Sequence, residues 1–263
     1  MSKRLIGGTS RLKGRNIFIH PGNSSMVEMS YGRIRLGEGE RRVDFTNEGQ
    51  ETCLVCLSGA ATVSVGQQDF EMQAKDALYI SKGLPVSVTT ASEVDLVECS
   101  AKVDGDYPVQ FVPYAGVQAD EKLHFIAGSD SSKREIDIML GTNVKAGRLV
   151  VGVTSSLPGN WTSWPPHEHA AMLEEIYVFF DMPEPAFGLQ LVYTDKITAA
   201  EVEVVRDGDA VLLPEGYHPN VAIPGSPLNF VWMMAAHREV ADRQWGVVTV
   251  DPRYVRNDQT GIR

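Results

Sequence analysis

Cysteine is scarce in this chain, with three in 263 residues, an odd count that offers no disulfide framework. Cys53 and Cys56 form a CxxC, a spacing used in redox and metal chemistry. The surrounding ETCLVCL reads as a strand, however, in which positions three apart face opposite ways, so two packed core thiols are expected, with Cys99 as a third. Long apolar runs are missing too. The stretch Phe230–Ala236 is seven residues long, against the roughly 18 to 20 that span a bilayer. The opening MSKRLIGGTSRLKGR has charge but no apolar secretory segment, so a cytoplasmic setting is expected and the sequons at Asn23 and Asn160 read as chance matches. Positive charge is in deficit, 24 Lys and Arg against 34 Asp and Glu, for a net charge of −10. That balance argues against nucleic acid and against an anionic membrane surface as partners. Helical patterning is weak, and no Gly-rich phosphate loop follows any strand-like run.

What the chain does have is a succession of short runs rich in Val, Ile, Leu, Tyr and Phe, separated by Gly, Pro, Asn and Asp. They include Cys53–Leu57, Ala61–Val65, Ala77–Ile80, Val86–Thr90, Leu149–Thr154, Glu175–Phe180, Leu189–Tyr193, Glu201–Val205, Ala210–Leu213 and Phe230–Met234. Many short strands at this spacing indicate an all-β sandwich or barrel. The chain also repeats itself. KDALYISKGLP at Lys75–Pro85 parallels GDAVLLPEGYH at Gly208–His218, and ETCLVCL from Glu51 parallels EIYVFF from Glu175, at offsets of 133 and 124 residues. A duplicated β unit is expected, meeting near Asp120–Arg134, whose AGSDSSK has linker composition. The expected halves are 1–125 and 126–263.

Three of only six histidines fall into one pattern. His167 and His169 form an HxH, Glu174-Glu175 opens the next apolar run, and His218 follows a Pro-x-Gly turn. In an extended segment, residues i and i+2 share a face, so His167 and His169 can converge on one ion. A carboxylate from the next strand and His218 from a returning one complete a shell of three imidazoles and one carboxylate. Such a shell suits zinc, manganese, iron, nickel or copper and leaves positions open for substrate.

This order resembles the two-part motif of the cupin superfamily, G(x)5HxH(x)3–4E followed by G(x)5PxG(x)2H. Gly208 to Pro214 fits its gap, whereas Gly216-Tyr-His218 is one residue short and Gly159 has seven residues before His167. Glu174 satisfies the spacing. Glu175-Ile-Tyr matches the usual strand start, and that register puts Tyr177 and Phe179 on the barrel interior with Glu175, which is therefore taken as the ligand. The resemblance implies an all-β double-stranded β-helix, duplicated as a bicupin. The N-terminal half has Arg41–Asn47 where an HxH would stand and Pro85 in place of His218, so it is expected to be a metal-free scaffold.

A narrower resemblance covers nearly the whole chain. GNWTSWPPHEH, LEEIYVFF, LVYTD, VLLPEGYHPNV and LNFVWMMAA are similar to the 5-deoxyglucuronate isomerases of bacterial myo-inositol catabolism, a bicupin family that overlaps in pattern with the 5-dehydro-4-deoxyuronate isomerases of pectin breakdown. The short loop between His169 and Glu174 and the Phe180-Asp-Met that follows are more like the pectin branch. The resemblance implies an aldose–ketose isomerase that moves a carbonyl from C1 to C2 of an open-chain deoxyuronate. One divalent metal per chain is implied, zinc first, with manganese, iron or nickel as alternatives, and so is a homo-oligomer. The substrate is a small anionic sugar acid, which a protein of net negative charge repels at long range, so the pocket needs a local cation.

For catalysis Tyr177 and Glu174 are the candidates. For substrate binding they are Tyr193, His237, Arg148 and Lys196, with Arg238 a further cation and Trp161 and Trp164 as pocket walls. An iron-dependent cupin dioxygenase and a sugar-sensing module without turnover remain competing readings of the same residues.

Overall fold

The short apolar runs become strands of two large sheets and a smaller four-stranded one in the computed structural model, which describes residues 4–255. Ala77–Ile80, Glu201–Val205 and Ala210–Leu213 have the expected bounds. The other runs grow or shift by a few residues. Helix is confined to Tyr114–Gln118 and three single 3-10 turns, so among the described residues no helix is long and apolar enough to cross a membrane.

One difference is instructive. Cys53–Leu57 and Ala61–Val65, expected as two strands, are parts of a single strand, Gln50–Val65. Ser58-Gly59 reads as a break in sequence, yet the strand continues through a bulge between Cys56 and Ser58. Gly59 adopts φ 78°, and a Cβ there would lie 2.0 Å from the Glu93 carbonyl oxygen. Glycine bends this strand without ending it. Its first part joins one sheet, between Ala77–Ile80 and Val94–Lys102, and its second part joins Gln68–Gln73 and Pro85–Thr89.

The strand order occurs twice. One large sheet runs Gln110–Val112, Ala77–Ile80, Gln50–Val65, Val94–Lys102, Met29–Leu36, Gly14–Ile19. The other runs Leu5–Ile6, Ala210–Leu213, Leu173–Phe179, Asn229–Ala236, Leu149–Ser156, Arg134–Leu140, His124–Ala127. Each outermost short strand comes from beyond the stretch that supplies the rest of its sheet, for Leu5–Ile6 crosses from the N-terminus to pair with Ala210–Leu213. The segment expected as a linker contains the strand His124–Ala127, which pairs throughout with Arg134–Leu140. Leu123, Phe125 and Ile136 pack on the C-terminal core, so the 125/126 division falls inside a strand, while the Ser-rich 128–133 forms the turn between the two strands.

Period-two alternation sorts the side chains into three cores. Leu54 and Cys56 face an interior core of the first barrel with Ile34, Val63 and Leu78. Tyr177 and Phe179 face that of the second with Val211, Phe230 and Trp232. Cys53, Val55, Ile176 and Val178 face a third core in which the two large sheets pack on each other. The two cysteines of the CxxC thus lie in different cores, and burial pushes the thiol of Cys56 up to about 12 and that of Cys53 higher still.

At the edges of the shared core sit two buried glutamates. Glu51 accepts hydrogen bonds from the backbone N–H groups of Gly147, Arg148 and Leu149 at 2.7, 2.7 and 2.8 Å. Glu174 accepts from those of Val27, Glu28 and Met29 at 2.8, 2.9 and 2.7 Å. Each carboxylate therefore clamps the start of the equivalent strand in the other sheet, Leu149–Ser156 or Met29–Leu36. The strand registers agree. Glu51 stands opposite Ala101 and Glu174 opposite Ala235. The internal repeat thus pairs Glu51 with Glu174, one residue earlier than the alignment to Glu175 expected from sequence, and Thr52 is the counterpart of Glu175.

Candidate metal centre and active site

The alternation that turns Glu174 toward the shared core turns Glu175 into the C-terminal barrel. There Glu175 Oε2 lies 3.1 Å from His218 Nε2 and 3.6 Å from His169 Nε2. The rings of His167, His169 and His218 are 5.0 to 5.5 Å apart between centroids, with ligand nitrogens all within 4.8 Å of one another. His167 Nδ1 lies 2.8 Å from the Pro165 carbonyl oxygen and His218 Nδ1 2.8 Å from that of Gly216. A proton donated from Nδ1 in each leaves the Nε2 lone pair free for an ion. Burial, and secondarily the neighbouring His218, pushes the His167 pKa down to about 3, and burial holds that of His169 well below the usual range. Both are neutral imidazoles at physiological pH, as metal ligands must be.

A divalent cation fits this donor set. His218 Nε2 and both oxygens of Glu175 are buried without any hydrogen-bond partner. Leaving a carboxylate and an imidazole so is costly unless a cation completes them. A second grouping among the described residues, His124 with Glu135 and Asp137, differs in this respect. There His124 Nδ1 is 2.8 Å from Asp137, whose other oxygen accepts from Tyr114 Oη at 3.1 Å.

The C-terminal segment braces the HxH. Thr249–Val250 pairs with His167–Glu168, and the Asp251 N–H donates to the Pro166 carbonyl at 2.9 Å. Tyr193, expected to bind substrate, instead donates from Oη to Asp251 at 2.8 Å, and Arg253 donates to the same carboxylate. Trp161 and Trp164 pack in a tilted pair at 5.3 Å, and Trp164 meets Tyr254 edge-on at 5.3 Å, so both tryptophans pack the loop rather than line the cavity beside the histidines.

Of the candidates for substrate contact and catalysis, Tyr177 alone lines that cavity, with its Oη 2.7 Å from Ser163 Oγ and its ring 5.7 Å from that of His218. Glu174 is spent on three backbone amides on the opposite face, which corrects its assignment to catalysis. Arg148 is at the junction of the sheets. It donates to the carbonyls of Lys102, Ala236 and His237 and lies 3.4 Å from Glu28. His237 is beside it, its N–H on the Met172 carbonyl. Lys196 is exposed in a loop, and Arg238 pairs with Asp242 at the surface. Strand-flanking position is a poor guide to which cation enters the pocket. The residue that does is Arg134, together with Ser163, Trp232 and Trp245. Only the start of a strand after a Ser-rich loop marked Arg134 in the sequence, and that is no functional signal.

The KduI/IolB family matches residues 9–254. The chain belongs to that family. A curated 5-deoxy-glucuronate isomerase of Geobacillus kaustophilus is 32% identical over 71% of this chain and 72% of its own, and one from Listeria monocytogenes serotype 4b is 30% identical over 87% and 92%. An IolB-like protein from Salmonella typhimurium superposes with a TM-score of 0.83 at 25% identity, covering 96% of this chain and 98% of that one. More distant members of the fold include Bacillus subtilis oxalate decarboxylase, a protein with Mn(II) centres, at TM-score 0.61 and 13% identity over 89% of this chain and 77% of that one. The KduI/IolB chain described here is an all-β, cupin-fold isomerase.

Proposed function

We propose that this isomerase is metal-dependent and converts 5-deoxy-glucuronate to 5-dehydro-2-deoxy-gluconate, a step of inositol degradation. The observation that carries the reading is the cluster of His167, His169, Glu175 and His218, with both Glu175 oxygens and His218 Nε2 buried without a partner, beside a cavity in a chain whose curated relatives are 5-deoxy-glucuronate isomerases. These four residues would hold the ion, with zinc as the first assignment and manganese, iron or nickel as alternatives. A divalent ion in this place supplies Lewis acidity toward the substrate's carbonyl and adjacent hydroxyl oxygens.

The chain's own residues supply the rest. Burial, and then the charge of Glu175, keeps the Tyr177 pKa well above its usual value, so its hydroxyl remains protonated at neutral pH. That hydroxyl donates to the substrate oxygen on which negative charge develops during the isomerisation, and Ser163 holds it in place. Phe230, Trp232 and Trp245 wall the cavity with apolar surface, which limits water and strengthens these polar contacts. In this reading the second barrel is the catalytic half and the first a metal-free scaffold, in a cytoplasmic homo-oligomer. The short loop after His169 favours the pectin-derived 5-dehydro-4-deoxy-glucuronate as the second substrate reading.

The test is an anaerobic assay of metal-analysed protein on both deoxyuronates. Conversion of 5-deoxy-glucuronate without oxygen supports the reading. Turnover of the other sugar alone overturns the substrate, and a requirement for oxygen with its uptake makes the protein a dioxygenase.

A further inference from the structure

We propose that Arg134 is the clamp that binds the substrate's carboxylate and so selects uronic acids over neutral sugars. The inference rests on the isomerase reading only for the identity of the sugar. Its own basis is a buried cation without an anion. Arg134 is 8% exposed and lines the cavity together with His167, Glu175 and Tyr177. Its Nη1 donates to the Ser132 carbonyl and its Nη2 to that of Trp164, both at 3.0 Å, which uses two of five N–H groups on neutral acceptors. Among the described residues no acidic side chain pairs with it.

The protein shows what it does elsewhere with such a group. Arg33, 3% exposed, is held by both oxygens of Asp95 at 2.7 and 2.8 Å. A buried guanidinium is strongly disfavoured unless its charge is met, and at Arg134 the partner is missing from the protein. The cavity beside it is where an anion can enter. A planar fork is the geometry that grips a carboxylate through two parallel hydrogen bonds. It also reconciles an acidic protein with an anionic ligand, because the attraction is local and desolvated.

In a deoxyuronate the carboxylate is at the far end of the carbon chain from the aldehyde. Fixing it at Arg134 therefore sets which end of the sugar meets the histidines. The contacts to Ser132 and Trp164 give Arg134 a second duty, since they tie the start of its strand to the loop that leads into His167. Arg134→Gln removes the charge, whereas Arg134→Lys keeps it and loses the fork.

Binding of D-glucuronate and of its neutral isostere D-glucuronamide to the metal-loaded protein is measured by calorimetry, with metal content determined on each sample. The wild type is expected to prefer the acid by about 30-fold or more, the lower end for a buried charge pair. In Arg134→Gln the preference collapses to about twofold with metal unchanged, and in Arg134→Lys it falls in between. No preference in the wild type, or the full preference in Arg134→Gln, overturns the clamp. If Arg134→Gln does not fold, an undiminished preference in Arg134→Lys overturns it. An Arg134-dependent preference in a protein that turns over neither deoxyuronate upholds the clamp while refuting the isomerase reading.

Discussion

The two barrels share a strand order and differ in how their polar interiors are satisfied. In the N-terminal barrel Thr52 occupies the position of Glu175. Asn47 Nδ2 donates to Thr52, Glu98 and Ser100, and Arg15 grips both oxygens of Glu98 at 2.7 Å. Every member of that network has a partner within the protein. In the C-terminal barrel the equivalent region gathers three imidazoles and a carboxylate, with both Glu175 oxygens and His218 Nε2 buried without a hydrogen-bond partner. The same scaffold thus gives a closed network where the polar groups answer each other and a binding centre where they do not. A duplicated fold can keep the second kind of interior only if the rest of the molecule supplies the stability, and the paired clamps Glu51 and Glu174 are part of that supply.

The strongest way to break this contrast is to remove a ligand. His218→Ala is expected to lose its bound metal and about three orders of magnitude in kcat, since Lewis-acid stabilisation is worth several kcal/mol at 1.36 kcal/mol per tenfold. Asn47→Ala in the other barrel is expected to leave metal content and kcat within about twofold. Elemental analysis and kinetics on the two variants side by side check both halves of the comparison.

The clamps test the symmetry instead of the difference. Glu51→Ala and Glu174→Ala each strand three partly or fully buried backbone N–H groups, Glu51→Ala the Tyr79 hydroxyl as well, and each is expected to cost about 3 to 5 kcal/mol, on the scale of a broken buried charge interaction. Denaturant unfolding of the two variants should show a loss in both, the larger in Glu51→Ala because Tyr79 loses its acceptor too. If Glu174→Ala is as stable as the wild type but catalytically dead, Glu174 belongs to the reaction and the structural role assigned to it is wrong.

These variants also show what could be read from the sequence and what could not. HxH spacing and the Pro-x-Gly turn revealed the histidines that the fold gathers within 4.8 Å of one another, because convergence on one point constrains residue type and spacing together. The choice between Glu174 and Glu175 turned on strand parity, where a shift of one residue reverses the face. Tyr177 and Phe179 fixed that parity correctly, yet the repeat alignment paired Glu51 with Glu175 because both begin similar apolar runs. The cysteines obeyed the same parity rule. Arg134, Ser163 and the packing roles of Tyr193 and Arg148 were hidden, because each depends on contacts between segments far apart in the chain: Tyr193 meets Asp251, and Arg148 meets Lys102 and Ala236. The 125/126 boundary failed for the same reason, as only the C-terminal core reveals why Phe125 belongs to a strand.

Two smaller effects refine the picture. Tyr177→Phe is expected to lower kcat by roughly 10- to 100-fold, the scale of one positioned proton donor, with metal content unchanged. Steady-state kinetics with metal analysis separates that result from damage to the centre. Smallest of all is the reactivity of the CxxC. Burial holds Cys53 and Cys56 as thiols in separate cores, so alkylation of the native protein at neutral pH should be negligible and become complete only on unfolding. Rapid labelling, or a Cys53–Cys56 disulfide in mass spectra, would contradict the assignment of the two residues to separate cores.

The central claim is that the unsatisfied cluster in the C-terminal barrel holds the ion that isomerisation requires. Its most direct test is to measure metal content and anaerobic conversion of 5-deoxy-glucuronate on the same samples of wild-type, metal-stripped and reconstituted protein. The account predicts one divalent ion per chain in the wild type, activity that disappears on stripping and returns in proportion to the ion restored, and neither metal nor activity in His218→Ala. Full activity in metal-stripped His218→Ala would contradict it.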